Sequence, residues 1–143
     1  MIREFALQIA LYTIPTAISA AQVSISVYDY QQKVSFPLQL NLKSGEVLVV
    51  FKEDCLPCRQ QLRDLRCLSR QRVKLLGVGQ DRLKLKQLAS VADYIRLYNA
   101  SFKAASDAGI TSSPSILFRS RKRKKNLIIS GYIPCEKLAR ILG

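Results

Sequence analysis

Histidine is absent from this 143-residue chain, and only ten acidic residues stand against 23 lysines and arginines. Without an imidazole, a metal site would have to be built from thiolates and carboxylates, and no imidazolium can stand beside a thiolate to stabilise it. Glycine and proline are scarce, six and five residues, while 48% of the chain is apolar, which excludes a disordered or low-complexity polypeptide. Four cysteines are too few for a disulfide-dense scaffold and too clustered to be incidental. There is no internal repeat and no linker, and the length suits one domain with a real core.

No apolar run is long enough for a comfortable membrane span. The longest, Phe5 to Ile14 around Gln8, follows Arg3 and leads to Pro15, Thr16, Ala17, Ser19, Ala20 and Ala21. That layout predicts a secretory signal over residues 1–21, cut after Ala20 or Ala21, and a single domain over 22–143. An uncleaved anchor and an ordinary helix are the competing readings. A cleaved signal implies a periplasmic or otherwise exported protein in an oxidising compartment.

Cys55-Leu56-Pro57-Cys58 is the most informative motif. Val47–Phe51 before it is an apolar run of strand length, and Arg59–Leu65 after it has helical spacing. Two thiols three residues apart at a strand-to-helix junction share one face of the first helical turn. The free amides and positive dipole end of that turn stabilise a thiolate, an arrangement suited to thiol–disulfide exchange. Pro57 falls in the first turn, where a missing amide costs little.

Along the rest of the chain, Gln22–Val34 alternates as a strand or a pair of short strands. Phe36–Leu42 leads to a turn at Lys43-Ser44-Gly45. A long helix is predicted over Pro57–Gln71, a buried strand over Val73–Val78, and a helix through Leu83, Leu85, Leu88 and Val91. A short strand follows over Tyr94–Tyr98, then a helix over Ala100–Ala108. Ser115–Phe118 and Leu127–Ser130 read as a hairpin with a polar tip at Arg119–Asn126, and Glu136–Leu142 as a closing helix. The pattern predicts an α/β sandwich with a central mixed sheet and helices on both faces.

The order strand, Cys-x-x-Cys at a helix start, strand, helix, then Gly109-Ile110-Thr111-Ser112-Ser113-Pro114-Ser115 before the hairpin resembles the thioredoxin family over about Val34–Leu142. The lead-in Gln22–Leu42 and the segment Tyr94–Ala108 resemble the exported, periplasmic thioredoxin-like reductases. The resemblance implies a redox-active Cys55–Cys58 disulfide, with Cys55 as the outer nucleophile and Cys58 as the resolving thiol. It implies a cis Pro114 against that disulfide, and Ser113, Pro114, Leu56 and Pro57 as substrate-binding residues. Gly131 matches a family glycine on the same rim. It implies no cofactor and no metal, a monomer, protein disulfides or dithiols as substrates, and a redox partner that recycles the pair. A static disulfide and two unused thiols are the bland alternatives.

Departures from the family pattern set the direction of the chemistry. Asp54 replaces the usual aromatic before the first cysteine, and Val49 replaces the buried carboxylate six residues upstream, so no proton relay is expected there. Glu53 and Asp54 oppose a thiolate at Cys55 by charge, and no histidine lies inside the motif. The expectation is a reductase or isomerase. Cys67 sits twelve residues beyond Cys55, about 18 Å along a continuous helix, whereas a disulfide needs Cα atoms within about 7 Å. A Cys67–Cys135 bridge is therefore not expected. Cys67 reads as buried and Cys135 as a semi-exposed thiol near the rim. A zinc site is disfavoured because a second Cys-x-x-Cys is missing.

The net charge of +13 survives removal of the leader, which takes away one arginine and one glutamate. Arg59, Arg63, Arg66 and Arg70 fall on one predicted helical stripe, and Arg119 and Arg121–Lys125 occupy the hairpin tip. Such surfaces favour acidic proteins, anionic lipid or nucleic acid, although a merely solvated face fits as well. Two function classes therefore compete: an exported thiol–disulfide oxidoreductase, and a thioredoxin-fold binding module whose basic surface engages an anionic partner.

Overall fold

The computed structural model describes residues 16–17, 24–68 and 72–142. Apart from Thr16–Ala17, the predicted leader lies outside the described residues, as does Arg70 of the predicted arginine stripe.

Strand β1 (Thr16–Ala17) is a two-residue edge, and β2 (Ser24–Asp29) and β3 (Val34–Gln39) form an antiparallel hairpin. Then come β4 (Glu46–Lys52), helix α1 (Leu56–Arg63), a 3-10 turn (Arg66–Leu68) and β5 (Arg72–Val78). Helix α2 (Arg82–Ala89), β6 (Arg96–Ala100) and α3 (Phe102–Asp107) follow. The chain closes with β7 (Ser115–Ser120), β8 (Lys125–Ser130) and α4 (Cys135–Leu142). One mixed sheet results, in the order β1-β8-β7-β4-β5-β6-β2-β3. Strand β4 pairs in parallel with β5 and antiparallel with β7.

A strand covered on both faces must be apolar throughout, and Val47–Phe51 is at most 1% exposed at every residue. Val47, Val49 and Phe51 pack with Leu62, Leu85 and Leu138 from α1, α2 and α4. Leu48 and Val50 pack on the opposite face with Ile25, Val27 and Ala105 of α3. The helices thus lie on both faces, three against one. Gly77 allows the closest approach: a Cβ there would stand 3.0 Å from Phe51 Cζ and 3.2 Å from Leu85 Cβ. Among the described residues no helix is long and apolar enough to cross a membrane.

Several boundaries differ from the sequence expectation for local reasons. The strand predicted over Tyr94–Tyr98 is shifted to Arg96–Ala100. Ser101 caps α3 by accepting from the Ala104 amide at 3.0 Å, so the helix begins after it. The hairpin tip is shorter, because Arg119 pairs with Asn126 and Ser120 with Lys125, leaving Arg121–Lys124 as the turn.

The largest correction concerns the helix predicted to reach Gln71. It ends at Arg63, and Asp64 leaves helical geometry at φ −108°, ψ 53°. The Asp64 carboxylate is held from outside the helix, accepting from the Tyr132 hydroxyl at 2.7 Å and the Cys135 amide at 3.0 Å. This brings the start of α4 to the end of α1, and Cys67 and Cys135 form a disulfide with Cα atoms 5.7 Å apart. Burial is also the reverse of the expectation: Cys67 is exposed and Cys135 is 4% exposed. Nor do the arginines share one helical stripe, since Arg59 and Arg63 lie on α1 and Arg66 in the 3-10 turn.

The Cys67–Cys135 bridge closes a span of 68 residues, which restricts the unfolded chain strongly. The variant Cys67→Ala/Cys135→Ala should lose roughly 2–4 kcal/mol of unfolding free energy; an unchanged denaturant midpoint would show that the bridge stabilises nothing. A second check uses Tyr30, whose hydroxyl donates to the Arg82 carbonyl at 2.7 Å. Burial pushes this hydroxyl up to about 12. A raised value means the fold favours the neutral phenol, so this stabilisation is complete below about pH 10 and is lost as pH rises through about 12. Stability should decline over that window, and less steeply in Tyr30→Phe; identical profiles would exclude the linkage.

Candidate functional site

The site begins where β4 stops. Glu53 and Asp54 turn the chain, with Asp54 at φ 49° in the left-handed region that aspartate tolerates better than most residues. Cys55 then takes an extended conformation and becomes the N-cap of α1. Its Sγ accepts the Cys58 amide at 3.2 Å, and its carbonyl accepts the Cys58 and Arg59 amides at 3.1 and 3.2 Å. A sulfur thus occupies the position usually held by a serine or aspartate oxygen at a helix start. Cys55 and Cys58 are joined as a disulfide with Cα atoms 5.2 Å apart. Cys55 is 7% exposed and Cys58 1%, so the first sulfur is the one nearer solvent. Leu56 beside them is 75% exposed and Pro57 is exposed.

The opposite wall comes from 58 residues away. The Ser113–Pro114 peptide is cis, and the Ser113 carbonyl oxygen lies 3.8 Å from Cys55 Sγ. Serine hydroxyls pin this loop: Ser115 donates to the Ser112 carbonyl at 2.7 Å, and Ser112 to the Ser130 hydroxyl at 3.0 Å. The Pro114 carbonyl accepts from the Gly131 amide at 2.8 Å, with Gly131 at φ 91°. Gln61, fully buried on α1, bonds Ile133 in both senses, donating to its carbonyl at 3.0 Å and accepting its amide at 2.8 Å. Ser113, Pro114, Gly131 and the cysteine pair, assigned together in the sequence, therefore share one end of the sheet.

Gln61, Ser115, Ser112 and Ser130 were missed by sequence reasoning. A polar residue at the buried position between Cys58 and Leu62 was the one available signal for Gln61. Lys84 was missed as well. Its ammonium stands 3.7 Å from Glu53 and 3.8 Å from Asp54, so the two carboxylates beside Cys55 do not act uncompensated. Beside Ser113 a cleft of about 210 Å³ is lined by Val50, Lys52, Val78, Phe102 and Ile110. No group of three or more metal-ligating side chains exists among the described residues.

Solved structures share this fold over most of the chain. The DsbF homologue from Corynebacterium diphtheriae aligns over 90% of this chain and 90% of its own, with a TM-score of 0.60 and 15% identity. The chain has the thioredoxin-like fold. StoA from Bacillus subtilis aligns over 87% of this chain and 99% of its own, at a TM-score of 0.58 and 14% identity. A secreted disulfide oxidoreductase from Mycobacterium tuberculosis, homologous to DsbE of E. coli, aligns over 82% and 92%, at a TM-score of 0.59 and 11% identity. No protein-family model and no curated protein sequence matches the chain.

Within this thioredoxin-like domain, Lys84 should favour the charged form of a neighbouring thiol by offsetting Glu53 and Asp54. In the reduced protein, Lys84→Glu is expected to slow alkylation of Cys55 by iodoacetamide at neutral pH roughly three- to tenfold. Lys84→Arg should retain the rate. Equal rates in all three proteins would show that Lys84 plays no electrostatic part at the site.

Proposed function

We propose that this chain is an exported thiol–disulfide oxidoreductase that exchanges disulfides with protein substrates through Cys55 and Cys58. The observation that carries the reading is the meeting of the sulfur on the helix N-terminus with the Ser113 carbonyl, 3.8 Å away across the sheet end. A purely structural bridge has no need of a helix start, an exposed Leu56 and an apposed proline loop. The names of the structures that share the fold agree with this chemistry.

In the reducing direction, the Cys55 thiolate attacks one sulfur of a substrate disulfide. A Cys55–substrate disulfide forms and the other substrate sulfur leaves as a thiolate, taking up a proton. Cys58 then loses its proton and attacks Cys55 Sγ, the Cys55–Cys58 bond forms, and the second substrate thiol is released. Two electrons have passed from the pair to the substrate. A dithiol partner regenerates the pair by the same two steps in reverse. Ser113 and Pro114 present the edge along which an extended substrate lies, with Leu56 and Pro57 as its apolar floor. The cleft beside Ser113 accepts a neighbouring substrate side chain. The protein works as a monomer without cofactor or metal.

The direction follows from what surrounds the sulfurs. No histidine is present in the chain, so the reduced pair lacks the stabilisation that an imidazolium gives a thiolate, and Lys84 does no more than offset Glu53 and Asp54. A reductase or isomerase is the assignment. Export rests on the leader-like segment and on the oxidising compartment in which a second, partly exposed Cys67–Cys135 disulfide persists.

Reduction of insulin by a dithiol should be accelerated by the protein and lost in Cys55→Ser. Cys58→Ser should accumulate covalent mixed disulfides with substrate proteins, resolved on non-reducing gels and released by dithiothreitol. Full insulin reduction by Cys55→Ser, or no trapped adducts with Cys58→Ser, would reject the exchange reading. Full cellular function of Cys55→Ser would favour the binding-module reading.

A further inference from the structure

A second feature lies at the opposite end of the sheet. Strands β7 and β8 run from the site to a tip that carries Arg119, Arg121, Lys122, Arg123, Lys124 and Lys125, six cations within seven residues. Positions 121–125 are all exposed. Among the described residues, none of the six pairs with a carboxylate within 4 Å, whereas Lys74, Lys84, Arg96 and Lys103 all do. Lys43 and Arg72, also exposed, adjoin the starts of β4 and β5 at the same end, because Glu46 is in register with Arg72 and Val47 with Phe118. Among the described residues, the tip is thus the densest run of cations without a carboxylate partner. The length of β7 sets this tip about 17 Å beyond Ser115, at 3.3 Å per residue.

The shape of the tip selects among anionic partners. A partner protein would need an apolar anchor at the centre of its footprint, but Leu127 beside the tip is 3% exposed and faces the core. Single-stranded nucleic acid would need aromatic platforms on which bases stack, and residues 119–126 contain no aromatic residue. What remains is a convex turn of long, flexible cationic side chains. That suits a fluid plane of negative headgroups, which rearrange to meet it.

We propose that the β7–β8 tip docks the protein on a bilayer rich in acidic phospholipid, with the Cys55–Cys58 pair directed away from the membrane. The observation behind this is independent of the exchange reading, so either can fail alone. Docked in this way, the redox site stays open to partners in solution, and local concentration near the surface rises with the acidic lipid content. Each tip cation held near the headgroups strengthens partition about fivefold.

The test is sedimentation with vesicles of phosphatidylcholine containing about one-third phosphatidylglycerol, against vesicles of phosphatidylcholine alone. Wild-type protein should bind the acidic vesicles at low salt, leave them at high salt and ignore the neutral ones. The Lys122→Glu/Arg123→Glu/Lys124→Glu variant should bind at least a hundredfold more weakly while its insulin reduction in solution matches wild type. Its melting curve confirms folding, and the milder Lys122→Gln/Lys124→Gln change should weaken binding by an intermediate amount. Equal binding by wild type and the reversal variant, or equal binding to neutral vesicles, would overturn the proposal. Tighter binding to a labelled single-stranded or duplex oligonucleotide than to acidic vesicles at the same salt would overturn the choice of lipid.

Discussion

The position of β4 between a parallel and an antiparallel neighbour is the constraint on which the site depends. Its carboxyl end and the amino end of β7 emerge together, because β4 and β7 run in opposite senses through the register Val47 with Phe118 and Val50 with Ser115. Cys55 follows the one strand by three residues and Pro114 precedes the other by one. Two loops with no sequence proximity are thereby delivered to the same few ångströms. The apolar filling of β4 on both faces, at most 1% exposed from Val47 to Phe51, fixes this register. A slip of one residue would exchange the two core faces and separate the sulfur from its wall.

A second layer of restraint keeps the rim in place. The segment from Gln61 to Cys67 holds residues 132–135 by three different kinds of bond. Gln61 makes a two-way amide pair with Ile133, the Asp64 carboxylate accepts from Tyr132 and Cys135, and Cys67 adds a covalent link. The Tyr132 hydroxyl titrates higher than an ordinary phenol because it donates to the Asp64 carboxylate. Gly131, immediately upstream, bonds the Pro114 carbonyl. The short α1 is therefore part of the site's support, and a helix running on to Gln71 would have left the rim without it.

How much of this was legible in the sequence can be argued from those same residues. The strand Val47–Phe51, the cysteine pair at a helix start, the hairpin and Pro114 each carry a local signal, namely an apolar run, a spacing or a turn residue. They point to the fold and to the residues that the structure brings together at one end of the sheet. The end of α1 carries none, since residues 59–71 contain neither glycine nor proline and their apolar spacing continues past Arg63. Asp64 terminates the helix through partners 68 and 71 residues away, a long-range cause that no window of sequence contains. The Cys67–Cys135 bridge was missed for that reason, and so was the broken arginine stripe. Lys84 escaped notice similarly: its salt bridges to Glu53 and Asp54 depend on how α2 crosses the sheet over Gly77.

The molecule thus carries its cysteine pair at one end of the sheet and its densest run of cations at the other, separated by the length of its own hairpin. The central claim, that Cys55–Cys58 cycles while Cys67–Cys135 endures, is tested most directly by an equilibrium redox titration against glutathione and dithiothreitol, read by mass after alkylation. The account predicts that Cys55–Cys58 titrates as a two-electron couple between about −270 and −120 mV, with Cys67–Cys135 still oxidised throughout. Reduction of Cys55–Cys58 only below about −300 mV, as for an inert structural bridge, would contradict it.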